Sequence, residues 1–507
     1  MNGAKRKQLE GQFEEVLPAS APADFKVSAD TATLPTQLFV KPPLSIADAR
    51  DGTWTTRPLT EVGNALRLRD QHGMKLRFVS EIKSWITWDG TAWRWDNSGA
   101  SVRELAASLA GQIYREGATF DMRDAECFAK WARNSQNSRT INAAVSLLSD
   151  QSPIRLPLAT IDANSMLIGF DRARQVVDLQ TGHARPASLD DYVTKSLRLC
   201  TIGRSSEAVR WHSFLQQIFA GDADLIDWLQ RWCGYLLTGS TSEQIFLFFF
   251  GLGANGKSVF AETIRHVLGD YGRTVATETL TESKRNAGSA SPDLYDLIGC
   301  RLAMSSETED GSALAESLIK SLTSGDTMTA RPLYGTPVQF QPTFKLLMLG
   351  NHRPMIRGTD TGIWRRVRLI PFNRIFSEQE RDLHLLEQLK AEAPHVLAWM
   401  IEGCMKWHQR GLSDLPASVA SQTAEYRQEQ DIVGQWLEEC TKCDSASETE
   451  AGDLYANYQN WANTNGLRAA TNVSLGRRLS ERGFLRQRGH GKRFWLGITL
   501  ITHVYVS

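Results

Sequence analysis

From Gln244 onward, apolar runs alternate with stretches of helical period, and the runs IFLFFF, RLAMSSE and KLLMLGN are continuous rather than alternating. A strand covered on both faces reads this way, so these runs predict a buried parallel sheet. Just upstream, Trp211, Phe214, Leu215, Ile218 and Phe219 keep the spacing of one helix face, as do Leu225, Ile226, Leu229, Trp232 and Leu236. Two amphipathic helices follow, forming a small layer against the sheet. Nearer the N-terminus, WITWDGTAWRW alternates about Asp89-Gly90, which predicts a hairpin with a type I′ turn. Its tryptophans, Trp85, Trp88, Trp93 and Trp95, could stack on nucleobases, but packing onto their own domain is the expectation. Residues 101–150 read as helical, and LIGFDRARQVVDLQTGHARP as short strands and turns. Residues 17–45, rich in Ala, Pro, Thr and Ser, read as a linker. Near the end, DLYANYQNWANTNG and NVSLGRRLSERGF read as helices, and FLRQRGHGKRFWLGITL as two strands about Gly489-His490-Gly491.

The chain has 507 residues, enough for about three domains. Its net charge of +0 excludes a global field that would pull it onto nucleic acid, so any such binding must come from a local patch. Seven scattered cysteines are no disulfide framework, and Cys440-Thr-Lys-Cys443 lacks the second pair that a structural zinc requires. Without an apolar leader or a long apolar run, a cytoplasmic protein is expected, with no membrane partner.

One stretch carries chemistry at once. Gly251-Leu-Gly253-Ala254-Asn255-Gly256-Lys257-Ser258 fits G-x-x-x-x-G-K-[ST], with a buried strand before it and a helix from Val259 after it. In that setting backbone N–H groups turn onto phosphate oxygens, the helix N-terminus adds its positive end, Lys257 reaches the outer phosphates and Ser258 ligates Mg²⁺. No N-K-x-D follows, which leaves ATP as the nucleotide. CRLAMSSETED ends its apolar run at Glu307, the first candidate to polarise water and ligate the metal; Glu309 is second. A carboxylate there would stand beside the cradle strand. KLLMLGN ends in Asn351, an amide able to sense the γ-phosphate, and Arg365 and Arg366 precede the apolar VRLIPF. An arginine donated to a neighbour's nucleotide would stabilise transition-state charge; a surface pair is the competing reading.

The C-terminal region is basic by itself. From Arg477 to Arg493 there are seven Lys or Arg against one acid, Glu481. Helix, helix, hairpin predicts a winged helix, with Arg477, Arg478 and Arg482 on the helix and Arg488, Lys492 and Arg493 on the wing, facing DNA.

The ordered set GLGANGKS, SSET, LIKSLTSGDTMTARPLYGTPVQFQPTFKL, LLMLGNHRP and WRRVRLIPF resembles the superfamily 3 helicases, most closely the helicase part of phage, plasmid and poxvirus primase–helicases. That resemblance implies ATP and Mg²⁺ at Lys257 and Ser258, Glu307 as the Walker B acid, Asn351 as sensor and Arg366 as the finger acting in trans, with Arg365 one step away. It also implies a ring hexamer. Its channel hairpin would fall in TMTARPLYGTPVQF, with Lys320, Arg331 and Tyr334 as DNA contacts, although the tip lacks the expected lysine. The roughly 55–75 residues ahead of it read as too short for a polymerase fold, so a separate primase is the expected partner. The resulting expectation is an α/β protein with an AAA+-like P-loop ATPase core. A tail (1–60), an N-terminal α/β domain (61–205), a helical collar (206–240), the core (241–425) and a winged helix (426–507) follow in order. The implied activity is ATP-dependent unwinding, on single-stranded and forked DNA, in phage, prophage or plasmid replication. The alternative is a ring ATPase that melts origins or remodels protein.

Overall fold

The computed structural model describes residues 57–170, 172–282, 291–306, 312–333, 335–358, 361–467, 469–489 and 491–501. Residues 1–56 of the expected tail, Glu307, Glu309, Asp310, Tyr334 and His490 lie outside them. The chain divides into two compact units at Ser196/Leu197.

The first unit opens with helix α1 (Glu61–His72) and strands β1 (Leu76–Val79), β2 (Ser84–Trp88) and β3 (Trp93–Asp96). Helices α2 (Ala100–Gly117), α3 (Met122–Asn134) and α4 (Ser138–Ser149) come next. Strand β4 (Arg155–Leu156) then completes the sheet β3-β2-β1-β4. A separate meander follows, of β5 (Leu167–Phe170), β6 (Gln175–Asp178) and β7 (His183–Pro186). The β2–β3 hairpin departs from the expected type I′ turn. Trp88 pairs with Trp93, leaving four residues in the loop. The Asp89 carboxylate accepts from the N–H groups of Thr91 and Ala92 at 2.7 and 2.8 Å, and only Gly90 takes positive φ. An aspartate that caps the turn from its own side chain needs no left-handed backbone. Trp93 is fully buried and stacks on Tyr192, 5.7 Å between centroids, with its Nε1 donating to Leu189 O.

The second unit is built on a five-stranded parallel sheet. Before it stand α5 (Val209–Ile218) and α6 (Ala223–Leu237). Then come β8 (Phe246–Phe250), α7 (Lys257–Leu268), β9 (Gly272–Thr274), the short α8 (Thr277–Leu280) and α9 (Pro292–Tyr295), and β10 (Leu302–Ser306). Helix α10 (Glu316–Ser324) leads to a hairpin of β11 (Met328–Ala330) and β12 (Val338–Phe340), then β13 (Lys345–Gly350), α11 (Thr361–Trp364) and β14 (Val367–Pro371). Helices α12 (Leu385–Ala391), α13 (Ala393–Arg410) and α14 (Ala417–Gln430) follow. The sheet order is β14-β8-β13-β10-β9. Phe246 and Phe248 pack on one face among Leu346, Met348 and Leu369, while Phe249 meets Phe260, Phe372 and Trp232 on the other. That two-sided burial is why the run has no alternation. Each phenylalanine so buried contributes about 1.5–3 kcal/mol.

The predicted pair of helices packs onto its neighbours in the second unit. Helix α6 lies against α13 at backbone distance: a Cβ on Gly234 would meet Cys404 N at 2.0 Å, and one on Gly403 would meet Gln230 O at 2.0 Å. Trp211 of α5 packs on Phe260 of α7 and Trp399 of α13, so α5 braces the helix that starts at Lys257.

The chain ends with α15 (Ile432–Cys440), β15 (Thr441–Glu450), α16 (Ala451–Thr464), α17 (Asn472–Glu481), β16 (Leu485–Gly489) and β17 (Lys492–Leu500). Strands order β15-β17-β16 around a core of Trp436, Tyr458, Leu475, Leu479, Trp495 and Ile498. Strand β15 was not visible in the sequence: TKCDSASETE is polar, and its pairing with β17 shifts register between Cys443 and Glu448. Among the described residues no helix is long and apolar enough to cross a membrane.

Candidate functional site

The buried β8 delivers the chain into a loop with three left-handed positions, φ of +93° at Gly253, +45° at Ala254 and +87° at Gly256. Glycine is required at two places for different reasons. A Cβ on Gly251 would meet Phe372 O at 2.5 Å; one on Gly256 would meet Ile218 Cγ2 at 2.7 Å, in a conformation L residues rarely adopt. The segment after β14 lines this loop. Asn255 Nδ2 donates to Phe372 O at 3.3 Å, and Phe376 N donates to Ala254 O at 2.9 Å.

Helix α7 begins at Lys257, and Gly256 brings no side-chain cap to it. Lys257 is 6 % exposed. Its Nζ donates to Gly251 O at 2.5 Å, Asn351 Oδ1 at 3.1 Å and Asn255 Oδ1 at 3.3 Å. Burial holds its pKa below the ordinary lysine value. All three acceptors are neutral oxygens, so the ammonium stands at a helix N-terminus with hydrogen bonds but no counter-charge from them. A phosphate fits that arrangement, since it supplies both acceptor oxygens and the charge. Ser258 is exposed beside it and Val259 is half-buried in the first turn.

Asn351 follows β13 directly, and β13 pairs in parallel with β8. This adjacency sets the amide against the loop lysine, 94 residues away in sequence. Strand β10 is not beside β8, as the sequence reading had it: β13 lies between them. Strand β10, which ends at Ser306, is therefore one strand removed from β8.

The two arginines differ. Arg366 is 6 % exposed and bonds within its own unit, Nε to Thr323 Oγ1 at 3.0 Å and Nη1 to Gly362 O at 2.6 Å. Arg365 is exposed, with one long contact, to Gln244 Oε1 at 3.4 Å. Both precede Val367, which pairs with Phe246 at the start of β8, so they lie at the strand end opposite the loop. Five residues at about 3.3 Å each put roughly 16 Å of sheet between.

Lys320 is half-buried on α10, and Arg331 stands exposed between β11 and β12 with Nε on Gly335 O at 3.1 Å. The C-terminal basic residues fall into two groups. Arg478 Nη2 donates to Arg357 O at 2.7 Å, and Arg482 pairs with Asp431, at the junction of α14 and α15. Lys492 pairs with Glu450 at 2.6 Å. Arg477 reaches only its helix neighbour Glu481, at 3.7 Å, while Arg488 and Arg493 sit opposite one another and exposed on β16 and β17. Arg486, not singled out in the sequence, joins them on the same hairpin face, lying over Trp495. Arg353, two residues beyond Asn351, was also missed.

Comparison with known proteins fits this picture. A family model described as "D5 N terminal like" matches residues 65–220, and a "Family of unknown function (DUF5906)" matches 249–366. A protein named putative helicase from Acanthamoeba polyphaga mimivirus is 31% identical over 337 residues, covering 61% of this chain and 34% of that protein. One named putative helicase from Frog virus 3 is 30% identical over 246 residues, covering 45% and 25%. A putative primase of African swine fever virus (strain Badajoz 1971 Vero-adapted) is 23% identical over 335 residues, covering 61% and 34%. A solved structure of the NrS-1 C terminal region aligns at TM-score 0.46 with 11% identity, covering 86% of this chain and 98% of that one. Fold and site define an α/β protein with a glycine-rich loop and a buried lysine at the end of a central parallel strand. The relatives that the chain matches carry the names putative helicase and putative primase, and the chain spans about a third of the length of the mimivirus one.

Proposed function

We propose that this chain is an ATP-dependent DNA helicase of superfamily 3 type, serving replication of a phage, prophage or plasmid genome as a ring. The observation that carries the reading is Lys257, a buried ammonium held between the loop carbonyl of Gly251 and the strand-end amide of Asn351. The loop from Gly251 to Ser258 and the first turn at Val259 would bind the phosphates of ATP. Ser258 and Glu307 would hold magnesium, which when bound neutralises charge between the phosphates. Lys257 orients the outer phosphate, and Asn351 orients the lysine and the attacking water. Glu307, next in sequence after β10, would polarise that water.

Arg365, exposed at the far strand end, suits a neighbour's nucleotide better than Arg366, which is committed to its own unit. Either one needs a second subunit, which supports the ring. The order helix, strand, helix, helix, strand, strand supports a C-terminal winged helix. In it Arg477, Arg488 and Arg493 would meet DNA phosphates, with Arg331 in the channel hairpin. The names of the viral relatives support work on DNA during replication.

The test is ATP turnover with and without single-stranded DNA, alongside strand separation on a forked duplex. DNA-stimulated turnover with unwinding, both lost in Lys257→Ala, is expected. Turnover indifferent to DNA, without strand separation, would overturn the helicase reading in favour of a remodelling ATPase.

A further inference from the structure

The loop that leaves β13 after Asn351 is held from two sides: Met355 exchanges backbone bonds with Ser312 and Leu314, Gly358 N donates to Glu316 at 2.6 Å and Arg357 pairs with Glu282, while elements that follow β14 hold it from the other side. Tyr426 of α14 donates through its hydroxyl to Pro354 O, and Gln430 Oε1 accepts from Ile356 N at 3.1 Å. Arg478 of α17 donates to Arg357 O at 2.7 Å. At the centre is Arg353, whose side chain is 12 % exposed. Its guanidinium lies 4.5 Å from the centroid of Phe250 and 5.9 Å from that of Tyr426. Its Nη1 pairs with Glu429 at 2.5 Å, and Nη2 reaches Gln422 Oε1 at 3.2 Å and Glu425 at 3.5 Å.

Phe250 is the last residue of β8, and Gly251, whose carbonyl takes a hydrogen bond from Lys257, comes next. Arg353 therefore grips both strand ends that supply the acceptors of Lys257: one through the ring of Phe250, the other through its own place two residues beyond Asn351. Its two Nη groups are held by Glu429, Gln422 and Glu425 of α14, while its Nε is buried without a hydrogen-bond partner. A cation that lies near two rings and is ion-paired through its Nη groups is a firm anchor, because ring contact and ion pairing use different parts of one planar group.

We infer that Arg353 is a positioning residue for hydrolysis. It sets the spacing of Gly251 and Asn351 about Lys257 and makes that spacing depend on the seating of α14, the helix that leads into α15. This rests on the ATPase reading above. It assigns Arg353 no contact with nucleotide, so its loss acts on turnover more than on binding.

The experiment uses the full chain and compares wild type, Arg353→Met, Arg353→Lys and Glu425→Gln/Glu429→Gln by steady-state ATP hydrolysis, with a fluorescent ATP analogue for affinity and thermal melting for fold. In Arg353→Met, kcat should fall about tenfold or more while KM and analogue affinity stay within about twofold. Arg353→Lys, which keeps charge but loses the planar fork, should recover only part of the rate. The double glutamine variant, with Arg353 intact, should lower kcat in the same direction. Unchanged kcat in Arg353→Met overturns the inference. So does a parallel loss of kcat, affinity and melting temperature in all three variants, which would mark a purely structural role. A wild type that does not hydrolyse ATP sinks the ATPase reading and Arg353's part with it; an active wild type with an equally active Arg353→Met sinks only the latter.

Discussion

Lys257 Nζ donates to Asn351 Oδ1 at 3.1 Å, joining the first turn of α7 to the end of β13 across 94 residues of sequence. The contact follows from sheet order: β13 is inserted directly beside β8, so the residue after β13 faces the loop after β8. Asn351→Ala removes one neutral acceptor and leaves the lysine its bonds to Gly251 and Asn255. Turnover should fall by roughly 10–100-fold with nucleotide affinity little changed, since the lost contact orients rather than binds. Single-turnover rates beside analogue binding check this; a purely affinity-based defect would contradict it.

The same lysine predicts a pH dependence. Burial lowers its pKa from the ordinary 10.5. In the proposed site the protonated form is the one that would bind phosphate. As pH rises through the lowered value the charge is lost, so affinity for the nucleotide should begin to weaken at a lower pH than an ordinary lysine would require. Analogue binding between about pH 7 and 10 measures this; Lys257→Arg, which does not titrate there, should remove the inflection.

Much of this was legible beforehand. The glycine–lysine loop, the continuous apolar strands and the terminal asparagine are local signals, readable because each fixes its own neighbourhood. Strand order is not local. Nothing within CRLAMSSE says that β13 will separate it from β8. Nor does the dipeptide Arg365-Arg366 say which side chain turns inward; Thr323 and the carbonyl of Gly362 decide that. Strand β15 escaped for a related reason: its partner β17 dictates its conformation, and its own residues carry no alternation. Arg353 carries no local signal, because the rings near its guanidinium, Phe250 and Tyr426, are far from it in sequence.

The inward turn of Arg366 has a measurable consequence. Arg366→Ala should lower stability, through the loss of a buried fork bonded to Thr323 and Gly362, by about 1–3 kcal/mol. Arg365→Ala should melt like wild type yet hydrolyse ATP poorly. If Arg365 serves a neighbour, mixing Arg365→Ala with Lys257→Ala should restore some turnover, because some interfaces then pair an intact loop with an intact arginine. Failure of the mixture to gain activity would argue against action in trans.

A second buried cation tests the sheet's other end. Lys345 opens β13 at 3 % exposure, with Nζ on Thr238 O at 2.5 Å and 4.3 Å from the ring centre of Tyr235. Burial drives its pKa well below 10.5. The unfolded chain then binds more protons than the folded one between the two values, so stability should rise as pH rises through that window. Urea midpoints at increasing pH should show the rise in wild type, and Lys345→Met should flatten it.

The C-terminal arginines allow a sharper separation. Arg488 and Arg493 face each other exposed across β16 and β17, with Arg486 beside them over Trp495. Arg478 and Arg482 are instead engaged with Arg357 O and Asp431. If the hairpin face meets the DNA backbone, Arg488→Ala and Arg493→Ala should each weaken binding evenly across sequences and reduce the slope of log affinity against log salt by about one. Arg478→Ala removes a tie to the loop that follows Asn351, so its main effect should appear in turnover, with the salt slope near that of wild type. Equal loss of slope from all three would mean that α17 leaves its seat to reach DNA, and the bond from Arg478 to Arg357 would then be one that DNA breaks.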